Sequence, residues 1–152
     1  MNNSYTPKQE DLFCIDLPTR PIPEAVKILV TGASGYIGGR LVNELLARGY
    51  RVRVVVRGNV AHYQELWPQA EVVVADALNY ETLKSAFKDI HAAFYLIHSL
   101  LLGPQQFYDA DIKAAHNFRQ AAAEHTVQRI IYLGGLGDVG TTLSDHLRSR
   151  IQ

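Results

Sequence analysis

Apolar residues along this chain gather into short unbroken runs, and the stretches between them carry a three-to-four-residue rhythm. The runs cover residues 26–30, 52–56, 71–75, 91–97 and 129–133. They are rich in Val, Ile, Leu and aromatic residues and short enough to be strands rather than helices. The first is apolar enough to be buried on both faces of a sheet. Between the first two runs, Ile37, Leu41 and Leu45 recur at i, i+4 with Val42 and Leu46 beside them, which predicts an amphipathic helix. Arg48 and Gly49 are its stop signals. Residues 62–67 read as a short helical or irregular piece halted by Pro68. Asn79 can cap a further short helix whose apolar face is Leu83, Ala86 and Phe87. The longest helix is expected over 105–125, where Phe107, Ala110, Ala114, Phe118 and Ala121 recur at helical spacing. Its small residues permit close approach to a sheet, so the alanine stripe is core.

Strands therefore alternate with helices, and one junction stands out. The first run leads into Thr31-Gly32-Ala33-Ser34-Gly35-Tyr36-Ile37-Gly38, and strand, glycine turn, helix and strand follow in about thirty residues, the size of one βαβ unit. Glycines at 32, 35 and 38 each have a physical task if the ligand is a dinucleotide. Gly32 lets the chain leave the strand through a tight turn. Gly35 lets backbone amides approach a pyrophosphate with no Cβ in the way, and Gly38 lets the helix pack closely on the strand. The helix N-terminus supplies unpaired donors and partial positive charge, so the anion needs no cationic side chain. A glycine turn that merely redirects the chain is the plainer reading. The flanking strand, helix and second strand favour the dinucleotide.

The segment Thr31–Gly38 resembles the cofactor motif of extended and atypical short-chain dehydrogenases/reductases, the group that includes NAD(P)H-binding epimerase-like proteins. The resemblance continues through Asp76, through Tyr95-Leu96-Ile97-His98-Ser99 and through Arg129-Ile130-Ile131-Tyr132-Leu133-Gly134-Gly135-Leu136-Gly137. It ends with Leu143-Ser144-Asp145-His146-Leu147-Arg148-Ser149-Arg150. It implies a Rossmann fold, a doubly wound α/β domain of five parallel strands in the order 3-2-1-4-5. It also implies that Thr31, Gly32, Ser34, Gly35, Tyr36, Ile37 and Gly38 surround the diphosphate. Asp76 and Ala77 would lie at the adenine edge, with the acid accepting from the exocyclic amine, although a turn or capping role for Asp76 fits the sequence nearly as well. Leu96, Ile97 and His98 end the fourth strand, and Gly134 opens a cofactor-facing turn after the fifth.

Two positions refine the chemistry. NAD-preferring folds of this kind place an acid about twenty residues beyond the glycines, on the ribose hydroxyls. Here no Asp or Glu occurs between Ala47 and Ala61, and Arg57 stands at the end of the second strand. A guanidinium there suits the 2′-phosphate of NADP, so NADP(H) is expected ahead of NAD(H). The catalytic pattern is less regular. Short-chain reductases usually carry a Ser or Thr after the fifth strand and then Tyr-x-x-x-Lys. This chain has Gly134 and Gly135, and no such pair follows. His98 at a strand end, and His146 with Arg150 at i, i+4, are the stand-ins for a proton donor and an anion anchor. The polar face of a new helix explains the last pair equally simply.

Composition bounds what remains. The chain has 152 residues, 47% hydrophobic and 20% charged, as in one globular domain. Lys+Arg and Asp+Glu are both 15, so no net field draws it to nucleic acid or to an anionic membrane. A single cysteine, Cys14, excludes an intrachain disulfide and fits a reducing compartment, with the cytoplasm the default. No apolar run is long enough to span a bilayer, no metal-ligand cluster appears, and the N-terminus lacks the order of a secretory signal. Residues 1–24 read as an extended leader with four prolines, and 25–152 as the NAD(P)-binding domain. The chain is expected to stop before the last strands and most of a substrate region. The expected function is that of an NADPH-dependent reductase or epimerase-like enzyme acting on an unidentified small molecule. A non-catalytic NAD(P) sensor or scaffold is the alternative. An exposed fifth-strand edge would allow homo-oligomers.

Overall fold

In a computed structural model, the described residues are 14, 26–97 and 104–134, with side chains of the last stretch described from Asp109 onward. Nine elements follow one another: β1 Lys27–Thr31, α1 Tyr36–Ala47, β2 Arg51–Val56, α2 Val60–Leu66, β3 Glu71–Val74, α3 Tyr80–Ala86, β4 Ile90–Tyr95, α4 Pro104–Glu124 and β5 Arg129–Tyr132. The strands form one parallel sheet in the order β3-β2-β1-β4-β5, as expected. Chain order reverses between β1 and β4, where a doubly wound sheet opens a crevice at its carboxyl ends.

Each face of the sheet carries its own core. Ile28, Val30, Val52 and Val54 pack with Val42, Leu45 and Leu46 of α1 and with Trp67. Leu29, Ala93 and Tyr95 pack on the opposite face with Leu83 and Phe87 from the α3 segment and Ala114, Phe118 and Ala121 of α4. The period-2 alternation of side chains along β1 thus feeds two helical layers. Phe118 meets Phe87 and Tyr95 edge-on, with ring centroids 4.9 and 4.8 Å away. The indole of Trp67 is 2% exposed, donates to Asn43 Oδ1 at 2.8 Å and stacks on Tyr63.

Local signals act as expected at most element ends. Gly49 at φ +80° ends α1, its amide bonding Leu46 O while that of Tyr50 bonds Leu45 O, which is the Schellman pattern. Asn79 caps α3 by accepting from the Thr82 amide. Three expectations need correction. Ile37 begins the predicted apolar stripe of α1 but is 52% exposed; the buried face is Gly38, Val42, Leu45 and Leu46. The fourth strand ends at Tyr95 rather than Ile97, and the Leu96 backbone that follows lies against the glycine turn at Gly32. The 62–67 piece is helical and begins earlier, at Val60.

The amino ends of the strands are held by charge. Arg53 on β2 is 6% exposed and donates from Nη1 to the carbonyls of Ala86 and Lys88, at the end of α3. Its Nη2 pairs with Glu71 of β3 at 2.8 Å, and Lys27 of β1 reaches the same carboxylate at 2.7 Å. Burial pushes the Glu71 carboxyl up, but the hydrogen bonds from Arg53 and Lys27 prevail and hold it below the usual carboxylate value.

Candidate functional site

At the other end of the sheet the strands open into a cleft of about 290 Å³. The turn after β1 contributes Gly32, Ser34 and Gly35, and the end of β2 contributes Val55, Val56 and Arg57. The segment after β3 contributes Ala75, Asp76, Ala77 and Leu78; Leu96 and Ile97 follow β4, and Ala114 comes from α4. Four separate strand ends therefore meet at the switch point, where a ligand of an open parallel sheet binds.

The glycines of the turn are explained by what a side chain would strike. Gly32 has φ +72°, and a Cβ there would lie 2.5 Å from the Leu96 carbonyl oxygen. At Gly38 a Cβ would overlap the Gly32 carbonyl and stand 2.8 Å from Ala33 Cα, so α1 seats directly on the turn. Gly35 is different. Its backbone is extended, at φ −83°, and its Cβ would touch only the Gly32 carbonyl, at 3.3 Å. It is the N-cap of α1 and offers no side-chain cap, and no acid occupies the first turn. The opening amides of α1 are thus left without an internal acceptor beside the cleft, as an anion site requires. The Ser34 hydroxyl likewise makes no hydrogen bond among the described residues.

Charge in the cleft is sparse. Arg57 is its one lining cation, exposed and without an ion pair or hydrogen bond among the described residues. Asp76 is its one lining anion among the described residues. Its Oδ1 accepts from the Leu78 amide at 2.9 Å, which makes the turn anticipated for it, while Oδ2 has no partner among the described residues. The remaining walls, Val55, Val56, Ala77, Leu78, Ile97 and Ala114, are apolar. A flat heterocycle with an anionic tail fits this division of polarity.

Of the residues expected around a cofactor, the fold brings Gly32, Ser34, Gly35, Arg57, Asp76, Ala77, Leu96 and Ile97 to one cleft. Thr31 is fully buried and does not line it; its hydroxyl donates to the Phe94 carbonyl at 2.9 Å and ties β1 to β4. Gly38 serves packing. Tyr36 and Ile37 are exposed on the first turn of α1, outside the lining, with the Arg40 guanidinium 4.4 Å above the Tyr36 ring. Gly134 is exposed beyond β5 and also outside the lining. His98, His146 and Arg150 lie outside the described residues. Ala77 and Ile97 are apolar walls that the sequence did mark, whereas Val55, Val56, Leu78 and Ala114 join them without having been expected there. Ala114 is core, as its place in the alanine stripe implies, and it also borders the cleft, because an alanine on the sheet-facing side of α4 leaves room for a ligand. Among the described residues no group of metal-ligating side chains occurs, and no helix is long and apolar enough to cross a membrane.

A family model described as NAD(P)H-binding matches residues 32–150. Cinnamoyl-CoA reductase 1 of Petunia hybrida is 32% identical over 119 residues, 74% of this chain and 36% of that protein. A 3-beta-hydroxysteroid dehydrogenase of Mycolicibacterium neoaurum is 31% identical over 115 residues, 70% of this chain and 31% of that protein. Among solved structures, UDP-glucose 4-epimerase of Thermotoga maritima superposes with a TM-score of 0.67 at 19% identity, over 83% of this chain and 48% of that one. At that identity the likeness concerns the fold. This chain spans about a third of the length of the curated relatives it matches. The match begins at the first glycine of the turn, and with the five-stranded sheet built around that turn the chain belongs to the NAD(P)H-binding family, in the extended short-chain dehydrogenase/reductase group.

Proposed function

We propose that this chain binds NADP(H) ahead of NAD(H) and is the cofactor half of an NADPH-dependent reductase or epimerase-like enzyme of the atypical short-chain group. The observation that carries the reading is the cleft itself. It joins the start of α1, which has no side-chain cap, to the Arg57 guanidinium and an Asp76 carboxylate oxygen, both without partners among the described residues. In this reading the diphosphate rests beside the 32–35 turn on the first-turn amides of α1, the Gly35 amide itself being held by the Gly32 carbonyl. The 2′-phosphate meets Arg57, and the adenine lies between Ala77, Leu78, Ile97 and Ala114 with its amine toward Asp76.

When bound, the nicotinamide supplies or accepts the hydride, and the protein's share is binding and orientation. His98 and His146 are the candidate proton donors of the intact enzyme, and Arg150 its candidate anion anchor. The substrate is a small molecule, and we place the protein in the cytoplasm, with self-association through the β5 edge. Titration with NADPH and NADH tests the cofactor reading. NADPH should bind about tenfold or more tightly, and Arg57→Ala should erase the difference, since a charge-assisted contact contributes roughly 1.5–3 kcal/mol. Equal affinities in the parent would remove the 2′-phosphate role. Tight NADPH binding with no turnover of ketones, quinones or nitro compounds by the intact protein would replace the enzyme with a sensor.

A further inference from the structure

Asn117 is a polar residue on the sheet-facing side of α4, 8% exposed among alanines and Phe118. It lies three residues after Ala114, on the same helix face. Its Nδ2 donates to the Ala77 carbonyl at 2.8 Å, across 40 residues of sequence. The segment it grips is the far wall of the cleft. Most other bonds in that segment are local: the Asp76 amide to Thr82 Oγ1, the Leu78 amide to Asp76 Oδ1 and the Asn79 amide to the Asp76 carbonyl. These bonds shape the turn but leave its distance from α4 undetermined. The Ala75 amide ties it to the Val56 carbonyl, on the sheet. Among the described residues the Asn117 bond is the hydrogen bond that ties this segment to α4.

We infer that Asn117 is a positioning residue for base recognition. Acting through the Ala77 carbonyl, it holds the Asp76 loop in place against α4, so that Asp76 Oδ2 meets the 6-position of the base. Ala114 and Asn117 sit on one rigid helix, so the same element forms one wall of the slot and fixes the height of the other. This rests on the reading that Asp76 accepts from the adenine amine. An oxygen at that position, as in hypoxanthine, would face the carboxylate acceptor to acceptor. A slot set by Asn117 therefore rejects the hypoxanthine dinucleotide, and a slack slot does not.

The test compares NADPH with its hypoxanthine counterpart in the parent chain, Asn117→Ala and Asp76→Ala, with thermal midpoints recorded for all three. The parent should prefer NADPH by about tenfold, the scale of a hydrogen bond to a charged group. Asn117→Ala should reduce that preference to within about twofold with Asp76 intact, and Asp76→Ala should reduce it similarly. If Asn117→Ala does not fold, Asn117→Ser, which keeps a shorter donor, is measured in its place with the same expectation. A merely structural role would weaken both nucleotides equally and leave their ratio at the parent value, which overturns the inference. The failure of the underlying reading looks different. There the parent itself binds both nucleotides alike and Asp76→Ala changes nothing, which removes the adenine contact and the positioning role together.

Discussion

Two arginines four residues apart, one on β2 and one just beyond it, show how differently the two ends of this sheet are used. Arg53, within the strand, spends its guanidinium on the carbonyls of Ala86 and Lys88 and on Glu71. Arg57, just past the strand, holds no partner among the described residues. The contrast extends to the helices. At the amino ends of the strands α1 closes in a complete Schellman cap and the end of α3 is covered by Arg53. At the carboxyl ends α1 begins at a glycine with no cap. At the amino end Arg53 Nη1 and Nη2 and the Schellman cap meet acceptors within the fold, with Arg53 Nε left buried and unpaired. At the carboxyl end the start of α1 and Arg57 have no such partner among the described residues. Unsatisfied donors cost stability, so a fold keeps them where something else completes them.

The strongest challenge to this comparison is a methyl group in the turn. Gly38→Ala forces backbone against backbone, and its cost should be about 3 kcal/mol, with nucleotide binding lost alongside. Gly58→Ala, with nothing within 4 Å of its Cβ position, should change urea unfolding by under about 1 kcal/mol. Comparable losses at the two sites would mean that the turn is not the crowded joint described. At the satisfied end, Arg53→Ala should lower stability by about 2–3 kcal/mol, because the carbonyls at the end of α3 lose their donors. It should leave the NADPH/NADH ratio untouched. Arg57→Ala should do the opposite, changing the ratio with stability shifted by less than about 0.5 kcal/mol. A variant that moved both quantities would blur the division between the two ends.

The smallest expected effect lies on the flank. The Lys84 ammonium, with Tyr80 and Gln120, holds the Glu124 carboxyl down to about 2 and clasps α3 to α4. A carboxyl depressed in the folded state contributes fully above its unfolded value of 4.5, and that contribution is lost as pH falls through about 2. Glu124→Gln should flatten the acid limb of a stability–pH curve between those values and change nothing at pH 7 beyond the modest effect of an exposed pair. An unchanged acid limb would show that the clasp does not contribute in solution.

What the sequence disclosed follows the range of the forces involved. Strand runs, the glycine turn, the Asn79 cap and the Gly49 stop are written in neighbouring residues, and the fold realises each of them. Sheet order needed the family resemblance as well as the alternation of elements. The walls of the cleft were harder, because Val55, Leu78 and Ala114 look like any core residue until three elements are brought together. Thr31 shows the reverse. Its place in a cofactor motif marked it as a contact, yet its buried hydroxyl braces the two strands that flank the cleft. Arg53 offered no sign of its partners, which are 18 and more residues away in the chain.

Trp67 is the only tryptophan in the chain, and it is held against α1 with its ring nitrogen anchored on Asn43. All indole emission therefore originates from one fixed chromophore on the α1 face of the sheet. Its wavelength reports whether that face is dry. Reduced nicotinamide absorbs where such an indole emits, so the molecule carries its own donor for energy transfer and needs no attached dye to be watched.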